Sequence, residues 1–102
     1  MTLMAAPRYL CSHLVRFSAD NCEQWANLEE IQQNGAVLEC DEAVRDDAVA
    51  KISAGDVSFE GRVTAVQQHE FGWRVEMAFS HLTPWTIEQW KPGHALDPAK
   101  LK

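Results

Sequence analysis

The chain has 102 residues and a formal net charge of −6, with 46% hydrophobic and 24% charged residues. That is the composition of one globular domain; it excludes a multi-domain enzyme, a collagen-like rod and a disordered tail. No apolar run reaches the roughly 18 residues of a membrane span, and Met1–Ala6 before Pro7 and Arg8 lacks the charged-then-apolar order of a signal peptide.

The first expected strand is short, His13 to Phe17, with Leu14, Val15 and Phe17 apolar. Residues 20–33 read two ways. Asp20 or Asn21 suits a helix cap, and Trp25, Leu28 and Ile31 recur every three residues, which is helical spacing. Read as a strand, the same segment makes Asn34-Gly35 a hairpin turn; read as a helix, it makes Gly35 the stop. Ala36-Val37-Leu38 is the next strand, and Val49 to Ile52 a weaker one, ended by Gly55-Asp56.

The clearest element runs from Val57 to Phe79. Val57, Phe59, Gly61, Val63 and Ala65 alternate with polar residues; Trp73, Val75, Met77 and Phe79 do so again. Alternation on both sides of a short polar segment predicts a β-hairpin with Phe59, Val63, Trp73, Val75, Met77 and Phe79 on a buried face. Gly72 is assigned to its turn, where positive φ is often needed, and Gly61 to a bulge or tight bend. Further on, Thr86-Ile87-Glu88-Gln89 has the spacing of a capping box, with Trp85 and Trp90 as a hydrophobic staple. Pro92-Gly93 stops the chain soon after, so a short C-terminal helix is expected, covering an open end of the sheet structure.

The negative charge is uneven. Residues 1–50 carry three arginines against nine carboxylates, and residues 51–102 balance. Lys and Arg form no stripe that would track a phosphate backbone, so neither DNA nor RNA is an expected partner. An acidic surface is also repelled by anionic membranes, and no membrane insertion is expected. Cys11, Cys22 and Cys40 form no C-x-x-C, and His13, His69, His81 and His94 form no H-x-x-x-H pair. They read as buried or half-buried thiols of a reducing compartment, which places the chain in the cytoplasm, with no metal site.

No catalytic residue stands out. There is no G-x-S-x-G, no H-E-x-x-H and no Gly-rich phosphate loop. Glu29-Glu30, Asp41-Glu42 and Asp46-Asp47 are pairs suited to acid–base work, but adjacent carboxylates are usually solvated surface. Of the four indoles, Trp73 continues a core face, and Trp25 is the one expected at a partner or ligand surface.

Three features together resemble the PilZ domain family: Arg8 ahead of the first strand, the segment Ala26 to Ala36, and the hairpin from Phe59-Glu60-Gly61-Arg62-Val63 to Trp73-Arg74-Val75-Glu76-Met77-Ala78-Phe79. The tail from Pro84-Trp85-Thr86 to His94-Ala95-Leu96-Asp97-Pro98 is similar to that of some bacterial members. The resemblance spans Arg8 to about Leu101. It implies an all-β fold, a six-stranded antiparallel β-barrel with the short C-terminal helix added, and it favours strand over helix in residues 20–33.

It also implies a ligand, the bacterial second messenger cyclic di-GMP. The family holds it through an R-x-x-x-R loop and a [D/N]-x-S-x-x-G strand end. Arginine forks grip phosphates and guanine edges bidentately, and a small hydroxyl and a glycine let the backbone approach. Here Arg8 has Met4 four residues before it and Ser12 four after, and the second motif reads Glu30-Ile31-Gln32-Gln33-Asn34-Gly35. Arg8 and Gly35 are therefore the candidate cyclic di-GMP-binding residues.

The resulting expectation is a single domain over residues 1–102: a non-catalytic bacterial signalling adaptor with weak or lost nucleotide binding and no cofactor. It would act on a protein partner, with a homodimer allowed for. Two alternatives stand beside it. One is a protein-interaction barrel unrelated to cyclic di-GMP, working through Trp25 or a strand edge. The other is a small enzyme or metal protein of another barrel type.

Overall fold

The computed structural model describes residues 8–96. Six strands follow in chain order: β1 (Tyr9–Ala19), β2 (Cys22–Gln32), β3 (Gly35–Cys40), β4 (Val49–Ala54), β5 (Val57–His69) and β6 (Gly72–Phe79). All pairings are antiparallel and the sheet closes on itself in the order β1-β2-β3-β6-β5-β4. The expected six-stranded antiparallel barrel is what forms. No helix among the described residues is long and apolar enough to cross a membrane.

Four of the five connections fix register locally. Ala19 pairs with Cys22, Gln32 with Gly35, Ala54 with Val57 and His69 with Gly72, so each hairpin turns in two residues. Asp20 (φ 49°) and Asn21 (φ 70°) are both left-handed, as a type I′ turn demands. These are turn residues and not helix caps: Asp and Asn tolerate positive φ better than other side chains. The Asp20 carboxylate accepts hydrogen bonds from Arg45 Nε (2.9 Å) and the Val49 amide (3.3 Å), tying the 41–48 connection to this turn.

Two turn assignments move by a residue or two. The β2–β3 turn is Gln33-Asn34, with Gly35 already the first residue of β3, and the β5–β6 turn is Glu70-Phe71, with Gly72 in strand and without positive φ. Gly35 is needed for another reason. A Cβ there would run into the Met77 carbonyl oxygen of β6, so the side chain is missing because two backbones meet closely.

Inward-facing side chains fill the barrel. Val15 and Phe17 of β1, Leu28 and Ile31 of β2, Leu38 of β3, Ile52 of β4, Phe59 and Val63 of β5 and Val75 of β6 are all at most 1% exposed. The hairpin face assigned from alternation is buried with one exception: Trp73 is half-buried. Ala65 also leaves the inner face. The β5–β6 register shifts between Val63 and Ala65, after which Ala65 pairs with exposed Glu76 and Val66 with buried Val75. Gly61 lies just before this irregularity.

The short C-terminal helix is absent. Residues 86–90 make one turn only, in which the Gln89 and Trp90 amides both donate to the Thr86 carbonyl (3.1 and 3.3 Å). Pro92 follows too soon for a second turn to close. Half of the capping box survives: the Thr86 amide donates to Gln89 Oε1 at 3.3 Å. Gln89→Ala is accordingly expected to cost about 1 kcal/mol and Thr86→Ala less than about 0.5 kcal/mol in urea unfolding. The reverse order would mean that the Thr86 hydroxyl holds the turn.

The segment does cover a barrel end without being helical. Trp85 is 2% exposed, its ring meets Tyr9 edge-on at 5.5 Å, and its Nε1 donates to the Trp90 carbonyl at 2.8 Å. Beyond it the chain lies along the start of β1: the Gly93 amide donates to His13 Nδ1 (2.8 Å), and Leu10 and Leu96 exchange backbone hydrogen bonds. The tail as far as Leu96 is thus an ordered strap; Asp97, Pro98 and Leu101, like Met1–Ala6, lie outside the described residues.

Candidate functional site

Arg8 and Gly35, the two residues singled out from sequence, line one surface cleft of about 210 Å³. Three pieces of chain build it: the start of β1, the β2–β3 turn and the outer side of β5–β6. Glu30, Gln32, Thr64 and Glu76 complete the polar lining. Thr64 is the extra residue at the β5 irregularity, and its hydroxyl donates to the Glu76 carbonyl at 3.2 Å. Arg8 is exposed and Gly35 buried.

The charge of this cleft runs against an anionic ligand. Arg8 is its one cation among the described lining residues, and Glu30 and Glu76 share the lining with it. Ser12, the other position in register with Arg8, sits out on β1 with its hydroxyl directed to Asn27 Oδ1 at 3.3 Å, and does not line this cleft. Met4 lies outside the described residues. Arg16 and Arg62 are engaged elsewhere, Arg16 with Glu23 at 2.7 Å and Arg62 with Asp47 at 3.7 Å.

A second and larger cleft, about 360 Å³, opens at the barrel mouth, between the outer side of β2 and the junction of the end of β3 with the start of β6. Trp25, Trp73, Phe71, Leu14, Glu39 and Asp41 line it. Trp25 is 54% exposed, which fits the surface role assigned to it, and the Arg16 guanidinium carbon lies 4.8 Å from the centre of its ring. Sequence alternation missed Trp73 as a lining residue because it stands at the mouth of the barrel, where the inner face runs out. Phe71 was missed because a two-residue turn gives no periodicity.

Beside this cleft lies a polar cluster that includes Glu29, expected from sequence to be solvated surface. Glu29 is half-buried and meets Arg74 at 3.1 Å, while His69 Nδ1 lies 3.4 Å from Glu39. Partial burial pushes the Glu29 carboxyl above its ordinary pKa, and the neighbouring Glu39 adds to the shift while Arg74 opposes it. By contrast Asp41, Glu42, Asp46 and Asp47 are exposed.

The cysteines divide differently from the expectation. Cys11 is half-buried and Cys40 buried, but Cys22 is exposed at the start of β2; all three are free thiols. Burial, with nearby carboxylates, pushes Cys11 and Cys40 up to about 11, so both stay protonated and non-nucleophilic at neutral pH. Among the described residues no three His, Cys, Asp or Glu side chains are gathered for a metal ion. Compared with protein-family models, curated proteins and solved structures, the chain matches none of them.

Proposed function

We propose that this chain is a non-catalytic signalling adaptor of the PilZ kind, which works in the cytoplasm through a protein partner and binds cyclic di-GMP weakly or not at all. The observation that carries the reading is the composition of the smaller cleft. Arg8 and Gly35 both line it, as a residual nucleotide site would require, yet two carboxylates, Glu30 and Glu76, line it beside the one guanidinium. A ligand with two phosphates and two guanines needs several charge-assisted contacts; one arginine fork supplies about 1.5–3 kcal/mol, far short of micromolar binding. The closed six-stranded antiparallel barrel supports the same reading.

Calorimetric titration with cyclic di-GMP at low salt, where phosphate contacts count most, tests it. The expected dissociation constant is above about 10 μM, and Arg8→Ala should abolish whatever heat remains. Submicromolar binding would overturn the proposal.

The reading of the chain as an interaction barrel with no nucleotide at all keeps one specific support, the exposed indole of the larger cleft. A strand edge is the weaker candidate for the working surface in either reading. The closed barrel leaves only short stretches unpaired on one side, such as Thr64–His69 of β5 beyond its β4 ladder and Cys22–Trp25 of β2 beyond its β3 ladder, so side chains on the outer face offer the larger surface.

A further inference from the structure

We propose that the barrel-mouth cleft lined by Trp25 and Trp73 is a docking site for an arginine-bearing basic segment of a protein partner. This rests on the reading of the chain as an adaptor, and it names the surface and the chemistry of what that surface takes.

The first observation is apolar exposure that the fold does not use. Leu14 is 62% exposed, Trp25 54% and Phe71 89%, and all three border the same cleft. Phe71 is the most telling. It occupies a two-residue hairpin turn, where Gly, Asn or Asp is the usual choice and an aromatic ring gains nothing from folding. Large apolar side chains gathered around a concavity on a small domain mark a contact surface.

The second observation is charge. Glu39 and Asp41 line the cleft, Glu29 stands beside Glu39, and exposed Glu42 continues the rim. Arg74 is already set against Glu29, Arg16 over Trp25 is bonded to Glu23, His69 lies against Glu39, and Asp41 has no ion pair among the described residues. The rim is therefore net negative. A nucleic acid or an anionic lipid surface would be repelled, and a second copy of this chain would bring another net −6 against it.

The third observation selects arginine over lysine. A guanidinium stacks flat on an indole and forks onto carboxylates, whereas an ammonium is a compact and strongly hydrated charge. The molecule itself displays the pairing, with Arg16 over Trp25 at 4.8 Å and bonded to Glu23 at 2.7 Å. An incoming arginine between Trp25, Trp73 and Asp41 would repeat that arrangement from outside.

The test uses isotope-labelled protein and three blocked heptapeptides, alternating leucine with arginine, lysine or glutamate. The arginine peptide should shift the indole N–H signals of Trp25 and Trp73 and the amide of Gly72, the lysine peptide should bind more weakly, and the glutamate peptide should leave the spectrum unchanged. Trp25→Ala, on the outer face, should weaken the arginine peptide about tenfold, and Phe71→Ser should weaken it without touching the core. Undiminished binding by both variants, or shifts confined to residues 41–47 with the indoles unmoved, would overturn the proposal. A cyclic di-GMP titration of the same sample, read at Gly35 and Ala36, keeps the two readings apart. A silent arginine peptide with weak nucleotide binding refutes this surface alone, whereas tight nucleotide binding refutes the proposed function.

Discussion

Phe59→Ala is expected to remove about 3–5 kcal/mol of stability, the range for deleting a buried aromatic ring. Phe59 is 1% exposed, stacks on Phe79 with ring centres 5.4 Å apart, and lies 6.3 Å from the ring of Trp90. It therefore joins the barrel interior to the strap that covers the barrel end. Alanine loses the transfer free energy of the ring and leaves a cavity that closed strands cannot collapse to fill. Small domains have only about 5–15 kcal/mol in total, so this one change approaches the whole. Urea unfolding should show the midpoint falling with the slope unchanged; a loss under about 1 kcal/mol would mean that Phe59 does not face the interior.

The second large effect is expected from the smallest substitution. Gly61→Ala would ordinarily stabilise a strand by about 0.4–1 kcal/mol, because the unfolded chain becomes less free. Here the added methyl group would overlap the Ala78 carbonyl oxygen and crowd the Phe79 Cα, both of them β6 backbone. Backbone atoms in a ladder cannot swing aside as a long side chain can, so β5 and β6 must separate. Overpacking of this kind costs about 3 kcal/mol or more, which reverses the sign of the entropic gain. Ser58→Ala, exposed on the same strand, is the control and should stay within about 0.5 kcal/mol. If Gly61→Ala matches or exceeds the wild-type midpoint, the two strands do not approach as closely as described.

Much of this barrel was legible wherever alternation is unbroken. Phe59 and Val63, then Val75, Met77 and Phe79, announce a hairpin with one buried face, and that face is buried. Where a bulge interrupts the ladder, the pattern misleads for a physical reason. In β2 the register shifts between Leu28 and Glu30, so the buried series runs Ala26, Leu28, Ile31, with a step of three at the bulge. Added to the exposed Trp25, that step imitates the period of a helix. The same device in β5 moves Ala65 outward and Val66 inward.

The end of the chain was misread differently. A capping box is a local signal, and its local bond does form between Thr86 and Gln89. Helix growth needs further turns to repay nucleation, and Pro92 removes them. The smaller cleft was legible in part: Arg8 and Gly35 do share it, but Glu76 comes from β6, far along the chain, and no motif spacing could bring it in. The larger cleft was legible in Trp25 alone. Its other walls come from the end of β3 and from the β5–β6 turn with the first residues of β6, which reach Trp25 only when β3 pairs with both β2 and β6.

Closure itself rests on a short seam, Arg16–Ala19 against Ala50–Ser53. Every hairpin turn in this chain is local, and its ladder can begin to form as soon as two residues reverse direction. The seam cannot. It joins the first strand to the fourth, as the longer β3–β6 ladder joins the third to the sixth. In both, the entropy of a long loop is lost before any hydrogen bond returns it, and the seam has the fewer paired residues. The shorter ladder is accordingly expected to form last, closing an open, curled sheet already joined by β3 and β6. The same order sets an expectation for hydrogen exchange: amides of the seam should exchange before those of the β5–β6 ladder, with β1 and β4 exposed as transient edges.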